Sequence, residues 1–327
     1  MDCPFDLRHA GPDAPPAMAV AVGVIERAGC VLIAHRAPDR HQGGRWEFPG
    51  GKLAAGESAH AALVRELHEE LGIEVKQTRP LMTVTHDYPE RRVRLSVLRV
   101  TQFDGQAHGC EGQAIRWVPK AALPDYRFPD ANQPIVNAVR LPDVYLITAP
   151  PPPSPQAFLA DLERAYDRAG GLVQLRAPGL NGTAWLDLAV PAVRWVQARG
   201  GRILVNGDVG DAQRLAADGV HLNSRRLLAL TQRPWSRDRW VAASCHNQDQ
   251  LWHAERIGVD FAVLGPVYPT ASHPTATVLG AARFTEWVTQ VNLPVYALGG
   301  LTLADLPHMQ DLGARGIAGI SAFWPTG

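Results

Sequence analysis

The sequence predicts an α/β chain in two parts, an N-terminal α/β/α sandwich with a mixed sheet followed by a C-terminal (β/α)8 barrel. Three observations predict it. Before residue 141, strand-like apolar runs flank one long acidic helix pattern. From Val144 onward, eight short apolar runs alternate with amphipathic helical stretches, the arithmetic of a closed parallel barrel. A length of 327 residues suits two hydrophobic cores better than one.

The elements follow in chain order. Residues 1–16, rich in proline and without a basic start or apolar signal core, read as a flexible tail. Residues 17–141 form the first domain. Ala19–Ile25 and Cys30–Ala34 run as strands joined by a turn at Arg27-Ala28-Gly29. Further strands are expected at Leu81–Thr85, Val93–Thr101 and Ile115–Val118, with a second helix over Ala131–Arg140. Residues 142–327 form the barrel. Its strands are Val144–Thr148, Leu172–Leu175, Ile203–Val205, Gly219–Leu222, Trp240–Ser244, Phe261–Leu264, Val295–Leu298 and Gly316–Ile320. The sequence after the eighth strand leaves no room for a full last helix, so the first domain or a partner subunit is expected to cover that gap.

Composition narrows the function. The chain is 46% hydrophobic and 20% charged with a formal net charge of zero, so it has no basic excess to neutralise a phosphate polymer. A small nucleotide therefore suits it better than DNA or RNA, and the same balance argues against an acidic membrane surface as a partner. No apolar run reaches membrane-spanning length. The four cysteines, Cys3, Cys30, Cys110 and Cys245, are scattered without metal-binding spacing, which suits reduced thiols in a cytoplasm.

The most informative segment lies between Gly50 and Ile73. Glu66, Glu69 and Glu70 stand at i, i+3 and i+4, so three carboxylates share one helix face. Carboxylates that close repel one another unless a cation intervenes. Oxygen donors without nearby cysteine select a hard ion, Mg²⁺ with Mn²⁺ as the alternative. Gly50 and Gly51 allow backbone to approach metal or phosphate without a Cβ. Ala59, Leu63 and Leu67 supply the apolar stripe, Arg65 can hold Glu69 or Glu57, and Gly72 ends the helix. A solvated glutamate-rich surface helix is the bland alternative.

This segment resembles the Nudix box, G-x5-E-x7-R-E-U-x-E-E-x-G-U with U aliphatic, at every defined position. The resemblance implies a metal-dependent hydrolase of diphosphate bonds on a Nudix α/β/α sandwich. It makes Glu66, Glu69 and Glu70 metal ligands, or one of them the general base, a choice the spacing leaves open. The carbonyl of Gly50 joins the ligand set. The flanking stretches Ile33-Ala34-His35-Arg36-Ala37, Trp46-Glu47-Phe48-Pro49-Gly50-Gly51 and Phe128-Pro129-Asp130-Ala131-Asn132-Gln133-Pro134 are similar to those of MutT-type 8-oxo-dGTP diphosphatases. That resemblance implies a substrate site of Arg36, Glu47, Phe48, Gly50, Gly51, Lys52 and Asn132, with Arg36 and Asn132 reading the oxidised guanine. An amide donates and accepts at once, which suits that base edge. A helix N-cap is the competing role for Asn132. Glu111 matches a further acidic position that binds metal or activates water.

The second half resembles the thiamine phosphate synthase family, with its thiazole tautomerase relatives, and implies a TIM barrel. The resemblance rests on Val173-Gln174-Leu175-Arg176, Gly219-Val220-His221-Leu222, Ser244-Cys245-His246, Gly265-Pro266-Val267-Tyr268-Pro269-Thr270 and Ala297-Leu298-Gly299-Gly300-Leu301. The ligand candidates are Arg176, Asn206, His246, Gly299, Gly300 and Ser321. Gly299, Gly300 and Ser321 can offer N–H groups to a phosphate, or the glycines can simply make tight turns. His246 matches a proton-shuttling histidine, or is a structural one. The family's lysine and acid positions read Pro178, Asn206-Gly207, Asn223-Ser224-Arg225-Arg226 and Ser272-His273-Pro274. Without acids to hold Mg²⁺, synthase chemistry loses its electrostatic support.

The expected function is Mg²⁺-dependent hydrolysis of 8-oxo-dGTP to 8-oxo-dGMP and diphosphate, cleaning the nucleotide pool for DNA replication and repair, beside a degenerate barrel. One alternative is a thiamine-pathway diphosphatase whose barrel binds or isomerises a thiazole phosphate. Another is a hydrolase with a non-catalytic, phosphate-binding barrel through which the protein self-associates.

Overall fold

The computed structural model describes residues 17–38, 42–152, 154–270 and 275–324. The expected tail at 1–16 and the Ser272-His273-Pro274 substitution lie outside the described residues.

The first part is a seven-stranded mixed sheet in the order β3-β2-β1-β6-β5, with β4 paired to β1 and β7 to β2. Its strands are β1 (Met18–Arg27), β2 (Cys30–His35), β3 (Trp46–Glu47), β4 (Gly50–Lys52), β5 (Glu74–Tyr88), β6 (Arg91–Asp104) and β7 (Ile115–Pro119). β1 runs parallel to β6 and antiparallel to β2 and β4. Helix α1 (Ala59–Leu71) lies between β4 and β5, and α2 (Gln133–Arg140) follows a 3₁₀ turn at Asp130–Asn132. The side-chain alternation of β1 explains the two layers. Ala21 and Ile25 face α1 with Leu63, Leu67 and Leu71, whereas Val22 and Val24 face α2 with Ile135, Val136 and Val139. Each fully buried leucine of α1 stabilises the sandwich by roughly 1.5–3 kcal/mol. Ser58 caps α1 by accepting from the Ala61 N–H, and Gly72 ends it in the left-handed region at φ 66°.

The strands expected from sequence all form, generally longer than read. β3 and β4 were not expected. Two and three residues long, they are too short for an alternation to show, and pairing with β2 and β1 makes them.

The second part is a closed barrel of eight parallel strands. They are β8 (Val144–Ile147), β9 (Leu172–Leu175), β10 (Arg202–Asn206), β11 (Gly219–Leu222), β12 (Trp240–Cys245), β13 (Phe261–Leu264), β14 (Val295–Leu298) and β15 (Gly316–Gly319). Seven helices connect them among the described residues: α3 (Pro155–Ala169), α4 (Gly182–Ala198), α5 (Val209–Arg214), α6 (Ser224–Leu228), α7 (Gln248–Ile257), α8 (Gly280–Val288) and α9 (Leu306–Asp311). After β15 the chain turns and buries Phe323 and Trp324, the latter 5.6 Å from the Phe158 ring of α3. That plug stands where a partner or the first domain was expected.

The sandwich instead meets the barrel floor, at the N-terminal ends of the strands. Leu141 packs with Tyr145, Leu172, Trp240, Phe261 and Tyr296, and the Tyr296 hydroxyl donates to the Pro142 carbonyl at 2.5 Å. Asp143 bridges Arg99 of the sheet, at 3.0 Å, and Arg315 of the barrel, at 2.5 Å. No helix among the described residues is long and apolar enough to cross a membrane.

Candidate functional site

Helix α1 lies behind β4, and their closest approach is at Gly51. A Cβ there would stand 2.0 Å from Cδ of Glu66 and 2.1–2.3 Å from its carboxylate oxygens. Gly50 has φ 147°, and a Cβ on it would meet the Ala21 carbonyl at 2.1 Å. Its N–H instead donates to Glu70 at 3.3 Å. The two glycines thus form a side-chain-free shelf against which Glu66 and Glu70 sit.

Arg65 organises the rest. It donates to both oxygens of Glu57 (3.1 and 3.0 Å), to Glu66 (2.8 Å), to Glu69 (3.4 Å) and to the Lys52 carbonyl (3.2 Å). The Glu57 and Glu66 bonds, backed by the charge of those carboxylates, push the Arg65 pKa above its ordinary value. The Lys52 side chain itself is exposed.

Glu70 receives no such help. Burial, then the negative charges of Glu47, Glu66 and Glu111, push its carboxyl up to about 7, with only the Gly50 N–H opposing. The structure therefore brings Glu47, Glu66, Glu70 and Glu111 into one field. Glu111 reaches it from the loop after β6, which is pinned to the helix by Cys110 N–H and the Gln113 amide, both donating to the Glu70 carbonyl at 2.9 Å. Glu69 is different. It is exposed and turned towards Arg65.

The three helix carboxylates were expected to converge as a ligand set. Among the described residues no group of three or more His, Cys, Asp or Glu does so. The reason is electrostatic: Arg65 draws Glu57, Glu66 and Glu69 to itself and leaves Glu70 apart. The donor chemistry still suits a hard divalent ion, because every side-chain donor is a carboxylate oxygen, the shelf is free of side chains, and Glu70 carries a repulsion that a cation would relieve.

On the other side of the shelf, Arg36 at the end of β2 is paired with Glu47 of β3. Phe48 is buried and stacks on Phe128 at 5.4 Å. Arg45 holds that segment through the Phe128 carbonyl at 3.3 Å and Asp130 at 3.7 Å. Asn132 is 8% exposed and makes no side-chain capping bond to α2, so the N-cap role is not the one it plays. The Tyr88 hydroxyl bonds to the backbone of neighbouring Ala131. Tyr88 and Arg45 escaped the sequence reading, since nothing in their local pattern separates them from ordinary strand and loop residues.

The barrel has its own cavity, of about 250 Å³, at the C-terminal ends of its strands. All six expected residues line it: Arg176, Asn206, His246, Gly299, Gly300 and Ser321. No Asp, Glu or Lys is among the described residues that line it. The Nδ1–H of His246 donates to the Gly265 carbonyl at 2.8 Å, which fixes the orientation of the ring. Gly300 is needed for a close approach, since a Cβ there would meet the Pro269 carbonyl at 2.5 Å.

Sequence reasoning missed a polar ladder beneath this cavity. The Asn206 amide donates to Gln174 at 2.8 Å, and Gln174 bonds Tyr145. Tyr145 meets His221 Nδ1 at 3.1 Å, and His221 Nε2 lies 2.7 Å from the Ser244 hydroxyl. Burial lowers the His221 pKa to about 3, so the imidazole is neutral and can only relay polarity. A glutamine and a histidine inside four-residue apolar strands were the signal.

A NUDIX domain family model matches residues 20–138, and a thiamine monophosphate synthase family model matches residues 144–323. The chain belongs to both families. Its Nudix part is 35% identical over 124 residues to the 8-oxo-dGTP diphosphatase of Escherichia coli K12, covering 38% of this chain and 96% of that one. It is 38% identical over 120 residues to the CTP pyrophosphohydrolase of the same organism, covering 36% of this chain and 88% of that one. The synthase-like part is 34% identical over 166 residues to the putative thiamine-phosphate synthase 2 of Aquifex aeolicus, covering 51% of this chain and 89% of that one. The Nudix relatives named here are hydrolases of diphosphate bonds.

Proposed function

We propose that the Nudix domain hydrolyses a nucleoside triphosphate to the monophosphate and diphosphate, with 8-oxo-dGTP as preferred substrate, in a cytoplasmic nucleotide pool that feeds DNA replication. The observation that carries this is the carboxylate field around the Gly50-Gly51 shelf, in which Glu70 is pushed up to about 7. Glu66, Glu70 and Glu111, with the Gly50 carbonyl and Glu69 after rotation away from Arg65, would hold Mg²⁺ or Mn²⁺. When bound, that ion supplies charge neutralisation of the phosphate oxygens and lowers the pKa of water. The chain's own contribution is position. Arg65 keeps Glu57 and Glu66 from drifting, the shelf admits the phosphate chain, and the Gly50 N–H holds Glu70 against that shelf. Phe48 and Phe128 wall the base pocket, and Asn132 offers an uncommitted amide to the purine edge.

A substrate panel of 8-oxo-dGTP, dGTP, CTP and thiamine-pathway diphosphates, run with and without Mg²⁺, tests the reading. A preference for 8-oxo-dGTP that requires the ion supports it. Faster turnover of CTP or of a thiamine-related diphosphate replaces it.

A second reading concerns the barrel. Among the described residues its cavity is lined by one guanidinium, one histidine held through Nδ1 and no carboxylate, which suits binding or proton transfer on a phosphate ester better than displacement of a metal-bound diphosphate. The barrel would then bind or isomerise a thiazole phosphate, or serve as a non-catalytic ligand module through which the protein self-associates.

A further inference from the structure

Helix α2 is held in an uneven way. At its N-terminus no side chain caps it, and Asn132 keeps its amide free. At its C-terminus the barrel takes the exposed carbonyls. Arg315 Nε donates to the Ala138 carbonyl at 2.7 Å, a terminal guanidinium nitrogen of Arg315 donates to Leu141, and Arg202 donates to the Arg140 carbonyl at 3.0 Å. The Arg140 guanidinium itself lies 4.7 Å from the ring centre of Trp240. Helix C-termini carry orphan carbonyls and partial negative charge, so two arginines there answer both needs at once. Arg315 is 3% exposed and is fixed by Asp143 as well, so its planar fork cannot drift.

The strand beside α2 is held in the same manner. β5 is the free edge of the mixed sheet. At Thr85 the Asn292 amide of the barrel accepts from the N–H at 2.8 Å and donates to the carbonyl at 2.9 Å, substituting for a neighbouring strand. Barrel helix α9 packs on β5 as well. Three residues beyond Thr85, Tyr88 bonds the backbone of Ala131, next to Asn132.

We propose that the barrel is a working wall of the nucleotide site: Arg315, with Asn292 in support, positions Asn132 through α2 and β5 and so sets the selectivity for the base. This rests on the reading of Asn132 as the base-reading residue. Neither Arg315 nor Asn292 touches the substrate. Loss of Arg315 frees the last turn of an eight-residue helix whose other end has no cap, and the amide at that other end loses its fixed place. Base discrimination depends on a hydrogen-bond geometry tight to a fraction of an ångström, whereas cleavage of the phosphate chain is arranged by α1 on the opposite face of the sheet. Selectivity and turnover therefore separate.

The test uses the full chain and its Arg315→Ala, Arg315→Lys and Asn292→Ala variants, with steady-state kinetics on 8-oxo-dGTP and dGTP. For Arg315→Ala the ratio of the two kcat/KM values should fall on the order of tenfold, through KM for 8-oxo-dGTP, while kcat for dGTP holds within about twofold. Arg315→Lys should restore part of the ratio. Asn292→Ala, a milder change at a half-buried position, should move it in the same direction by a smaller factor, and it supplies the answer if Arg315→Ala does not fold. An unchanged ratio in folded variants, or a parallel fall for both nucleotides, overturns the positioning role while leaving the hydrolase reading intact. Wild-type protein without preference between the two nucleotides overturns the base-reading assignment and this inference with it.

Discussion

The carboxylate of Glu66 fills the space that a β-carbon on Gly51 would need, 2.0 Å from that position at its nearest atom. The atoms in the way are the far end of a flexible side chain, and Gly51 does not have a left-handed backbone. Gly51→Ala should therefore fold with a melting temperature close to that of the wild type, because Glu66 can swing aside. Displacing it by even an ångström should lower kcat on the order of a hundredfold. Thermal unfolding and single-turnover rates on one preparation check this. A large loss of stability with normal turnover of the surviving protein would show that Glu66 has no part in the chemistry.

Glu70 links stability to pH. Its folded pKa of about 7 lies above the ordinary carboxyl value of 4.5, so the folded state holds the proton more tightly than the unfolded chain does. The sign follows: without divalent ions, stability falls as pH rises from about 4.5 through about 7, by roughly 3 kcal/mol once the carboxyl is fully ionised. Glu70→Gln should lose that slope, be more stable than wild type at pH 8 without added ions, and be nearly inactive. Denaturant melts at pH 5 and pH 8 in EDTA decide it, and parallel slopes for the two proteins would remove the strain assigned to Glu70.

Asn132→Ala deletes an amide that caps nothing, so the helix should persist. Selectivity for 8-oxo-dGTP over dGTP should drop by about 1–3 kcal/mol, the scale of one lost polar contact to a base. Mg²⁺-dependent cleavage of dGTP should stay within a few-fold. Competition between the two nucleotides measures the ratio directly, and an unchanged ratio would falsify the assignment.

Asp143 reports on the junction. Burial opposes its ionisation, but Arg315 and Arg99 outweigh that and hold its carboxyl below the usual 3.8. The contribution is present above that value and is lost as pH falls through the lower folded value. Asp143→Asn should weaken the junction at neutral pH and flatten the acid limb of the stability curve below pH 4. Urea melts between pH 2.5 and 7 would show it. An unaltered acid limb would place the acid sensitivity elsewhere.

What could be read in the sequence was what depends on spacing within one element. The i, i+3, i+4 carboxylates, the Gly72 stop and the eight barrel strands each declare themselves locally, as do the six residues found at the cavity. What could not be read depends on contacts across the chain. β3 and β4 exist because β2 and β1 offer them partners. Glu70 differs from Glu69 by one position, yet one is buried among like charges and the other turned towards Arg65. Asn132 lies before an apolar helix, as a capping residue would, and only the packed structure shows its amide uncommitted. Arg315 and Asn292 carry no local mark at all, since the partners their side chains take in the sandwich and at the junction stand 172 to 207 positions away.

The barrel meets the sandwich with its floor, where the strands begin, and keeps its cavity at the other end, where they finish. Severing the polypeptide near Pro142 would strip Leu141 from its seat beside Trp240 and leave Arg202 and Arg315 without the backbone oxygens they grip. Neither fragment would be a faithful copy of what it is in the intact protein. Engineering or assay work on either domain is accordingly best done on the undivided molecule, for which the fusion is a shared wall rather than a tether.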